Sequence, residues 1–322
     1  MGVSVISGGV FLHPKSGVPP ESADRLRTAL SGVPEGVRWR DPSPCSDADL
    51  ALVHGAEYLR WLKGISSGER YLDVNTFISP PAYRAARCAA GSSIAAAERA
   101  LSGETCFAMV RPPGHHAEPD RAMGFCLFNN AAIAAARALE RVERVAILDW
   151  DLHHGNGTQA VFYDSDRVLF CSVHQHNAFP FTGWVDEVGT GAGKGYTLNA
   201  PLPPGATLGD YALVFREVFA PAIARFRPGL LIISAGQDSL SDDPQGSMQL
   251  DPGDYAELTR IARYAAGCPM ALVLEGGYGP SHGAAIAAIF RGLREDAGPA
   301  PVPPARASTR DLARVLRKVG YF

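Results

Sequence analysis

Short, continuous runs of apolar residues alternate along the chain with longer stretches in which apolar positions recur every three or four residues. The short runs are rich in Val, Ile, Leu and Phe and lack polar alternation, which is typical of strands buried on both faces of a parallel sheet. Five such strands are predicted, at Thr105–Val110, Val145–Asp149, Val168–Val173, Leu230–Ser234 and Met270–Leu274.

The longer stretches have the period of amphipathic helices. Strands that alternate with such helices predict βαβ units, and therefore an α/β fold with a mostly parallel sheet flanked by helices. In one stretch, Asp251 followed by Pro252 predicts an N-cap with proline in the first helical turn. Helices are predicted over Tyr83–Leu101, Asn130–Val142, Asp210–Phe226 and Asp254–Ala266.

The end of the chain has a different composition. Residues 297–307 are rich in proline and alanine, which predicts a linker or a strap across the surface. A basic amphipathic segment, Thr309–Val319, follows and predicts a final helix packed on the domain. Because no internal repeat is evident and this length is within range for one large α/β unit, residues 1–322 are interpreted as a single domain with the strap and the final helix packed on it.

Composition narrows the class of protein. Charged residues make up 20% of the chain and the formal net charge is −3, which argues against general binding to nucleic acid or to anionic membranes. No apolar run is long enough to span a membrane, and the first residues lack the basic and apolar regions of a secretory signal. Six scattered cysteines without a CxxC pair indicate a reducing compartment, so we expect a cytoplasmic protein.

Residues that bind metals or transfer protons follow each of the five predicted strands. Because ligands bind beyond the carboxyl ends of strands in open parallel sheets, these side chains are expected to meet at one edge. They are His115 and His116 after the first strand, Asp149, Asp151 and His153 at the second, His174 after the third, Asp238 after the fourth, and Glu275 and Tyr278 after the fifth.

The spacing Asp149-x-Asp151-x-His153 indicates a metal site. In extended backbone alternate side chains point the same way, so two carboxylates and an imidazole would share one side of the strand. Buried carboxylates repel each other and need a cation between them, and Asp238 from another strand could complete the set. Two carboxylates and one histidine with open positions suit a catalytic metal. Zinc is the first choice, with iron(II), manganese and cobalt as alternatives.

Two further motifs predict acid–base and hydrogen-bond chemistry. The adjacent His115 and His116 follow a Pro-Pro-Gly turn and suit general acid and base roles, because nearby carboxylates can set their pKa values near neutral. In the run Glu275-Gly-Gly-Tyr278, a flexible turn presents a phenol that can donate a hydrogen bond to a developing oxyanion beside a metal.

Six ordered blocks of the chain resemble the zinc-dependent histone deacetylase superfamily, which includes bacterial histone-deacetylase-like amidohydrolases and acetylpolyamine amidohydrolases. The resemblance extends from about Leu12 to about Arg291 and is greatest to the class II branch. The blocks are RPPGHHAEPDRAMGFCLFNN (111–130), DWDLHHGNGTQ (149–159), SVHQ (172–175), GAGKGYTLNAPLP (191–203), AGQDSLSDDPQG (235–246) and LEGGY (274–278).

The resemblance implies a three-layer arginase/deacetylase fold, a single deacetylase domain, and a hydrolase that uses one zinc ion per chain to cleave linear amides. The implied zinc ligands are Asp151, His153 and Asp238. The implied catalytic residues are the base and acid His116, its electrostatic partner His115 with Asp149 behind it, Asn156 behind His116, and Tyr278, which polarises the scissile carbonyl.

The resemblance also implies a substrate tunnel and potassium sites. Gly124, Phe125 and Phe179 would line a narrow apolar tunnel for the acyl-lysine stem, with Gln245 in a gatekeeper position at its rim. The first potassium site would use Asp149, Asp151, His153, Ser172 and Val173, and the second would use carbonyls of Phe162, Ser165, Val168 and Tyr196.

Two positions depart from part of the family. Class I members carry Asp where this chain and class II members have Asn156, so His116 lacks a full charge there and its pKa is expected to be less elevated. General acyl-lysine deacetylases often have an apolar residue at the position of Gln245, and a polyamine-selective relative has Glu. A neutral polar residue therefore leaves the substrate open.

Three functions are compatible with these motifs. The first is a deacetylase of acyl-lysine in proteins or peptides, and the second is a deacetylase of acetylated polyamines or other small amides. A cationic polyamine would need a carboxylate at the rim, which Glu118 or Asp120 could supply. The third is a catalytically silent binding module, which the presence of the ligands, His116 and Tyr278 disfavours. The oligomeric state stays open.

Overall fold

A single eight-stranded sheet lies at the centre of the structure, a computed structural model that describes residues 2–295 and 298–319. The strands are β1 (Val3–Ile6), β2 (Arg38–Arg40), β3 (Arg70–Tyr71), β4 (Phe77–Ile78), β5 (Thr105–Ala108), β6 (Val145–Asp149), β7 (Val168–Gln175), β8 (Thr197–Leu202), β9 (Leu230–Ala235) and β10 (Met270–Leu274). The central order is β2-β1-β5-β10-β9-β6-β7-β8, with every neighbouring pair parallel. Strands β3 and β4 form a separate antiparallel pair.

Helices flank the sheet. They are α1 (Ala23–Leu30), α2 (Asp47–Leu50), α3 (Ala56–Ile65), α4 (Pro80–Leu101), α5 (Asn130–Ala138), α6 (Asn156–Phe162), α7 (Leu208–Val214), α8 (Ala220–Phe226), α9 (Asp254–Ala266), α10 (His282–Arg294) and α11 (Ala307–Val319). Short 3-10 turns lie at Gly9–Leu12 and Gly191–Gly193. None of the described helices is both long and apolar enough to cross a membrane.

All five predicted strands are present, and they are neighbours in the middle of the sheet as β5, β10, β9, β6 and β7. Their side chains are almost entirely buried, as expected for strands covered on both faces. Patterning missed β1, β2 and β8 at the sides of the sheet. In β8, for example, Asn199 and Pro201 break the apolar run, and proline is tolerated there because β8 is an edge strand.

The four predicted helices are also present, and three of them differ from the prediction in their ends or continuity. The helix predicted from Tyr83 begins at Pro80, because the Ser79 hydroxyl accepts the N–H of Ala82 at 3.1 Å and caps the first turn. The helix predicted to reach Val142 ends at Ala138. The segment predicted as one helix over Asp210–Phe226 is α7 and α8 joined by a π-helical turn at Phe215–Phe219.

The predicted N-cap at Asp251 is wrong, although the bounds Asp254–Ala266 are confirmed. Gly253 occupies the N-cap position and provides no side-chain cap. The Asp251 N–H instead donates to the Asp254 carboxylate at 2.9 Å, so the two residues close a turn that precedes the helix.

The C-terminal segment packs onto the remainder of the chain through Asp210. Its buried carboxylate accepts hydrogen bonds from the Arg306 N–H at 2.9 Å, the Arg306 Nε at 3.0 Å and the Thr309 hydroxyl at 2.6 Å. Residues 298–306 have no regular structure, and α11 begins two residues before the predicted Thr309. Ala297, where the predicted strap begins, lies outside the described residues.

Candidate active site

A cavity of about 160 Å³ opens at the carboxyl ends of the central strands. Because β5, β10, β9 and β6 are adjacent and parallel, the loops that follow them meet at this edge, as the sequence predicted. The residues lining the cavity are Asn75, Pro113, His115, His116, Gly124, Phe125, Asp151, His153, Phe179, Asp238, Gln245, Gly276 and Tyr278.

Three of these residues form a cluster suited to a metal ion. One ligand atom from each of Asp151, His153 and Asp238 lies within 4.8 Å of the others. His153 Nδ1 is 3.1 Å from both Asp151 Oδ1 and Asp238 Oδ2. Backbone N–H groups of Gly276 and Leu152 hold the remaining carboxylate oxygens, each at 2.8 Å. The side chains are therefore oriented before any ion binds.

Two glycines leave room for these carboxylates. A Cβ atom at Gly276 would lie 2.2 Å from Asp238 Oδ2, and one at Gly236 would lie 2.0 Å from Asp151 Oδ2. Both distances are shorter than any real contact between such atoms, so each position requires glycine for a steric reason. Gly236 after β9 and Gly276 after β10 thus serve the cluster directly.

The electrostatics of the cluster favour a bound cation. Burial, together with the neighbouring Asp151 carboxylate, raises the pKa of Asp238 to about 7. Burial lowers the pKa of His153, but the carboxylates of Asp151 and Asp238 outweigh burial and raise that pKa to about 10. The buried carboxylates therefore stabilise positive charge at the point where they meet the imidazole, and a metal ion can supply that charge.

Asp149 lies outside the cluster. Extended backbone ends at Asp149, so the predicted alternation through His153 is wrong beyond that residue. The N–H of Asp151 turns back to Asp149 Oδ1 at 3.0 Å, and the N–H of His153 turns back to Asp151 Oδ1 at 2.9 Å. These two turns, rather than a pleated strand, aim the ligands at one point.

The adjacent histidines have opposite pKa shifts. Burial lowers the pKa of His115, but the carboxylates of Asp151 and Asp149, the latter 3.0 Å from Nδ1, raise it well above its ordinary value. Burial, reinforced by positive charge on His115 and His153, lowers the pKa of His116 well below its ordinary value. The His115 ring is therefore suited to stay charged, and the neutral His116 ring is suited to accept a proton.

The loop that carries this pair is tied to β10. Glu275 Oε2 accepts the backbone N–H groups of Gly114 at 2.7 Å and His115 at 3.1 Å. His116 Nδ1 lies 2.8 Å from the Asn156 side-chain oxygen, and Asn156 Nδ2 donates to Glu118 Oε1 at 2.8 Å. The Glu118 carboxylate is thus hydrogen-bonded to Asn156, on the Nδ1 side of His116.

The expectation that Glu118 or Asp120 supplies a rim carboxylate is not met, since neither residue is among those lining the cavity. Glu118 points instead towards Asn156, and Asp120 is exposed in the turn that follows. Asp151 and Asp238, the two carboxylates that do line the cavity, belong to the metal cluster.

Tyr278 lies in the wall of the cavity. Burial raises the pKa of its phenol well above the ordinary value, although the Arg25 guanidinium opposes the shift. That guanidinium lies 4.8 Å from the centre of the Tyr278 ring, and its Nε donates to the Gly277 carbonyl at 3.0 Å. The phenol is therefore held protonated, in the form that donates a hydrogen bond.

Aromatic rings form the rest of the wall. The Phe125 ring lies 5.8 Å from that of Tyr278, and the Phe179 ring meets His116 edge-on at 5.0 Å. Gly124 has φ of 57°, and a Cβ there would lie 2.4 Å from the His116 ring. Gln245 lines the same cavity, with its N–H fixed by Asp243 at 2.9 Å.

Comparison with known proteins identifies the family. The sequence profile of the histone deacetylase domain matches residues 19–293. The chain belongs to the histone deacetylase family. It is 41% identical over 292 residues to a histone deacetylase-like amidohydrolase of Pseudomonas aeruginosa, covering 85% of this chain and 77% of that protein. It is 42% identical over 280 residues to a probable deacetylase of Archaeoglobus fulgidus, covering 83% and 78%.

The crystal structure of the HDA15 HD domain has the same fold, with a TM-score of 0.90, 33% sequence identity and coverage of 99% of this chain and 94% of that one. The predicted superfamily and the arginase/deacetylase fold are thereby confirmed. The fold is that of the deacetylase-type amidohydrolases.

The residues expected at the two potassium sites lie on or near β6, α6, β7 and β8. Ser172 is paired with Asp149 across β6 and β7, and its hydroxyl lies 2.9 Å from His174 Nδ1. His174 is buried next to Val173 and is not among the cavity-lining residues. At the second expected site, the carbonyl of Phe162 accepts the N–H of Ser165 at 3.0 Å in a turn next to Val168, and the carbonyl of Tyr196 accepts a β7 N–H at 2.9 Å.

Sequence reasoning missed Asn75 in the cavity wall and the contacts made by Glu275. Asn75 lines it from the loop between β3 and β4, next to the highly exposed Val74. No periodicity marks this loop, because its two strands have only two residues each. The sequence predicts Glu275 as a strand-end acid at the site, whereas the structure places it outside the cavity lining, where it holds the histidine loop because β10 lies beside β5.

Proposed function

We propose that this protein hydrolyses N-acyl-lysine amides in proteins or peptides, with a zinc ion held by Asp151, His153 and Asp238. One observation supports the proposal above others: this ligand cluster, the base candidate His116 and the phenol of Tyr278 line the same cavity. A metal group, a proton acceptor and a hydrogen-bond donor within one pocket are the components that amide hydrolysis requires.

The donor set fits zinc. Nitrogen and oxygen atoms about 2.1 Å from a shared tetrahedral centre lie roughly 3.4 Å from one another. The two carboxylate oxygens each lie 3.1 Å from His153 Nδ1, which is close to that separation. Three protein ligands leave positions for water and substrate, and when bound there, zinc supplies a Lewis acid that polarises a carbonyl and makes water acidic. Iron(II), manganese and cobalt have similar ligand preferences.

The residues around this site would divide the proton transfers. His116 donates from Nδ1 to Asn156, so its Nε2 lone pair would accept the proton of an attacking water and later return it to the leaving amine. Tyr278 would donate a hydrogen bond to the carbonyl oxygen as negative charge develops there. His115, kept charged by Asp149, would add positive charge beside the reacting groups.

The shape of the cavity suits an aliphatic stem. Phe125 and Phe179 supply apolar walls, and Gly124 allows the chain to pass close to the His116 ring. A lysine side chain has four methylene groups and, when acylated, carries no charge, so it matches an apolar passage that ends at a polar centre.

The charges of the cavity favour acyl-lysine over acetylated polyamines. A polyamine keeps one or more ammonium groups along its length and would need a carboxylate partner outside the metal cluster. Outside the metal cluster, no carboxylate is among the described residues that line the cavity, and the polar side chains of Gln245 and Asn75 are neutral. Acetylated polyamines and other small amides remain the alternative substrate class, which the same mechanism would serve.

Two potassium sites are part of the proposal. The first would use Asp149, Asp151, His153, Ser172 and Val173, and the second would use carbonyls of Phe162, Ser165, Val168 and Tyr196. The location of Ser172 opposite Asp149 supports the first. The absence of disulfides, with all six cysteines free, is in keeping with the proposed cytoplasmic location.

A paired assay tests the proposed reaction. We expect turnover of an acetyl-lysine peptide that disappears with a chelator and returns with zinc, and kcat/KM at least about tenfold higher than for acetylspermidine or acetylputrescine. Asp151→Ala should bind no zinc, whereas the exposed Asp251→Ala serves as the matched control. Turnover that persists in chelator contradicts the metal mechanism, and a large preference for the polyamine contradicts the substrate choice.

Replacement of Gln245 tests the rim. Gln245→Glu should raise kcat/KM for acetylspermidine relative to the peptide, because it adds a carboxylate to the cavity. Gln245→Leu should have the opposite effect. If neither variant changes the ratio of the two substrates, Gln245 does not select between them.

A further inference from the structure

The amide of Asn156 lies between two ionisable side chains. Its oxygen faces His116 Nδ1 at 2.8 Å, and its nitrogen donates to Glu118 Oε1, also at 2.8 Å. Two weaker acceptors, the His116 carbonyl oxygen and the Met123 sulfur, each lie 3.4 Å from the same nitrogen. Acceptors therefore surround one end of the amide, and a ring nitrogen faces the other.

This arrangement determines which His116 nitrogen carries a proton. A carboxylate can only accept hydrogen bonds, so the NH₂ group of Asn156 must face Glu118. The amide oxygen must then face His116, and because that oxygen can only accept, His116 Nδ1 must donate a proton to it. In the neutral ring the lone pair is consequently left on Nε2, the nitrogen that can act as a base.

We propose that Glu118 is a positioning residue that sets the tautomer of His116 through Asn156. The inference rests on the proposed function, in which His116 is the general base. An aspartate at position 156 would accept the Nδ1 proton whichever way it turned. An asparagine has an acceptor and a donor end, so a further group must choose between them, and Glu118 makes that choice.

The backbone of Glu118 is held in place for this role. Its N–H donates to the Arg121 carbonyl at 2.9 Å, which closes a tight turn. Its carbonyl oxygen accepts from Nδ1 of the buried His54 at 3.1 Å. The carboxylate is half-buried and projects from this fixed turn, so its contact with Asn156 does not depend on ordering a flexible segment.

Variants of Glu118 give the first test. In zinc-loaded protein, Glu118→Ala should lower kcat about 10- to 100-fold, the usual cost of losing a group that orients a site residue, with KM changed less than about threefold. Glu118→Gln keeps an oxygen that can accept from Asn156 and should retain more of kcat than Glu118→Ala. Asp120→Ala, which removes an exposed carboxylate two residues away, is the matched control and should have wild-type kinetics.

A double variant provides a rescue that a merely structural role would not. Asn156→Asp alone would face the Glu118 carboxylate across the present 2.8 Å contact, and the repulsion should lower kcat. In Glu118→Ala/Asn156→Asp the new carboxylate accepts the Nδ1 proton directly, so kcat should exceed that of either single variant. A double variant no better than the worse single variant overturns the proposal.

The tautomer itself can be observed by nitrogen NMR of protein labelled with ¹⁵N-histidine, with the His116 signals assigned by their loss in His116→Gln. Wild-type zinc-loaded protein should show His116 protonated at Nδ1, and Glu118→Ala should show a substantial Nε2-protonated population. An unchanged tautomer in Glu118→Ala overturns the proposal even if kcat falls. If His116 is not the general base of the proposed reaction, His116→Gln should keep full activity. That result is distinct from an unchanged His116 tautomer in Glu118→Ala, which overturns only the role of Glu118.

Discussion

The backbone N–H of Tyr278 donates to a carboxylate oxygen of Asp243 at 2.6 Å. The same carboxylate accepts the N–H groups of Gly279 and Gln245, each at 2.9 Å. One buried side chain therefore holds the loop of the phenol and the loop of the proposed gatekeeper in a fixed relation. Its contribution is geometric, since Asp243 is not among the residues lining the cavity.

Replacing Asp243 should therefore impair both loops. We expect Asp243→Ala to lower kcat at least about tenfold and to reduce the free energy of unfolding by roughly 2–4 kcal/mol, because buried N–H groups lose their acceptor. Asp243→Asn keeps one acceptor oxygen, so its kcat and its free energy of unfolding should lie between those of wild type and Asp243→Ala. Steady-state kinetics and urea unfolding measure the two effects, with the exposed Asp41→Ala as control. Equal losses in Asp41→Ala and Asp243→Ala would contradict this role.

The loop that carries Phe179 depends on a glycine behind it. Gly183 has φ of 85°, and a Cβ there would lie 2.5 Å from His174 Nε2 and 2.6 Å from His154 Cγ. Gly183→Ala should displace the loop and raise KM for an acyl-lysine peptide several-fold, with a lower melting temperature. Gly191→Ala is the matched control, because its φ is 54° but open space surrounds it.

In Gly191→Ala, backbone strain should lower the free energy of unfolding by only roughly 1–2 kcal/mol, and KM should stay at the wild-type value. If Gly183→Ala has the same KM as Gly191→Ala, the loop does not depend on the contact with the two histidines.

His54 should make stability depend on pH. Its Nδ1 donates to the Glu118 carbonyl and its Nε2 accepts the Asn129 N–H at 3.0 Å, and burial lowers its pKa to about 4. Because this pKa lies below the unfolded value of about 6.5, the contribution of the neutral ring is complete above pH 6.5 and declines as pH falls towards 4.

The free-energy difference between wild type and His54→Leu should therefore shrink between pH 7 and pH 4.5, by up to about 3 kcal/mol. Denaturant unfolding of both proteins, metal-free, measures it. A difference that stays constant over this range would show that His54 does not titrate on unfolding.

Asp210 should anchor the C-terminal helix. Its carboxylate also accepts the Thr207 N–H at 3.1 Å, which caps α7, so one side chain serves the start of α7 and the start of α11. Asp210→Ala should destabilise the protein by roughly 2–4 kcal/mol and speed proteolysis within residues 298–306. Limited proteolysis followed by mass spectrometry detects this. Arg306→Lys, which keeps the charge and the backbone N–H, should be cleaved at a rate near that of wild type.

The order of strands and helices was readable from the sequence because buried parallel strands have a simple signature of continuous apolar residues. Val145–Asp149 and Met270–Leu274 have the predicted bounds for this reason. The capping of α9 was not readable, since Asp251 can either cap a helix or close a turn before it, and both fit the local sequence. The side-chain contacts between neighbouring residues decide between such alternatives.

By itself, the sequence determined the family, the strands and the identity of the chemical groups, because the motifs are long and each group follows an apolar run. Only the tertiary structure decided which groups meet. Asp151 and Asp238 are 87 positions apart in the chain and come together because β6 and β9 are neighbours in the sheet. Glu118, which the sequence suggested for the rim, lies behind His116 instead, because the direction of a side chain depends on the turn that carries it.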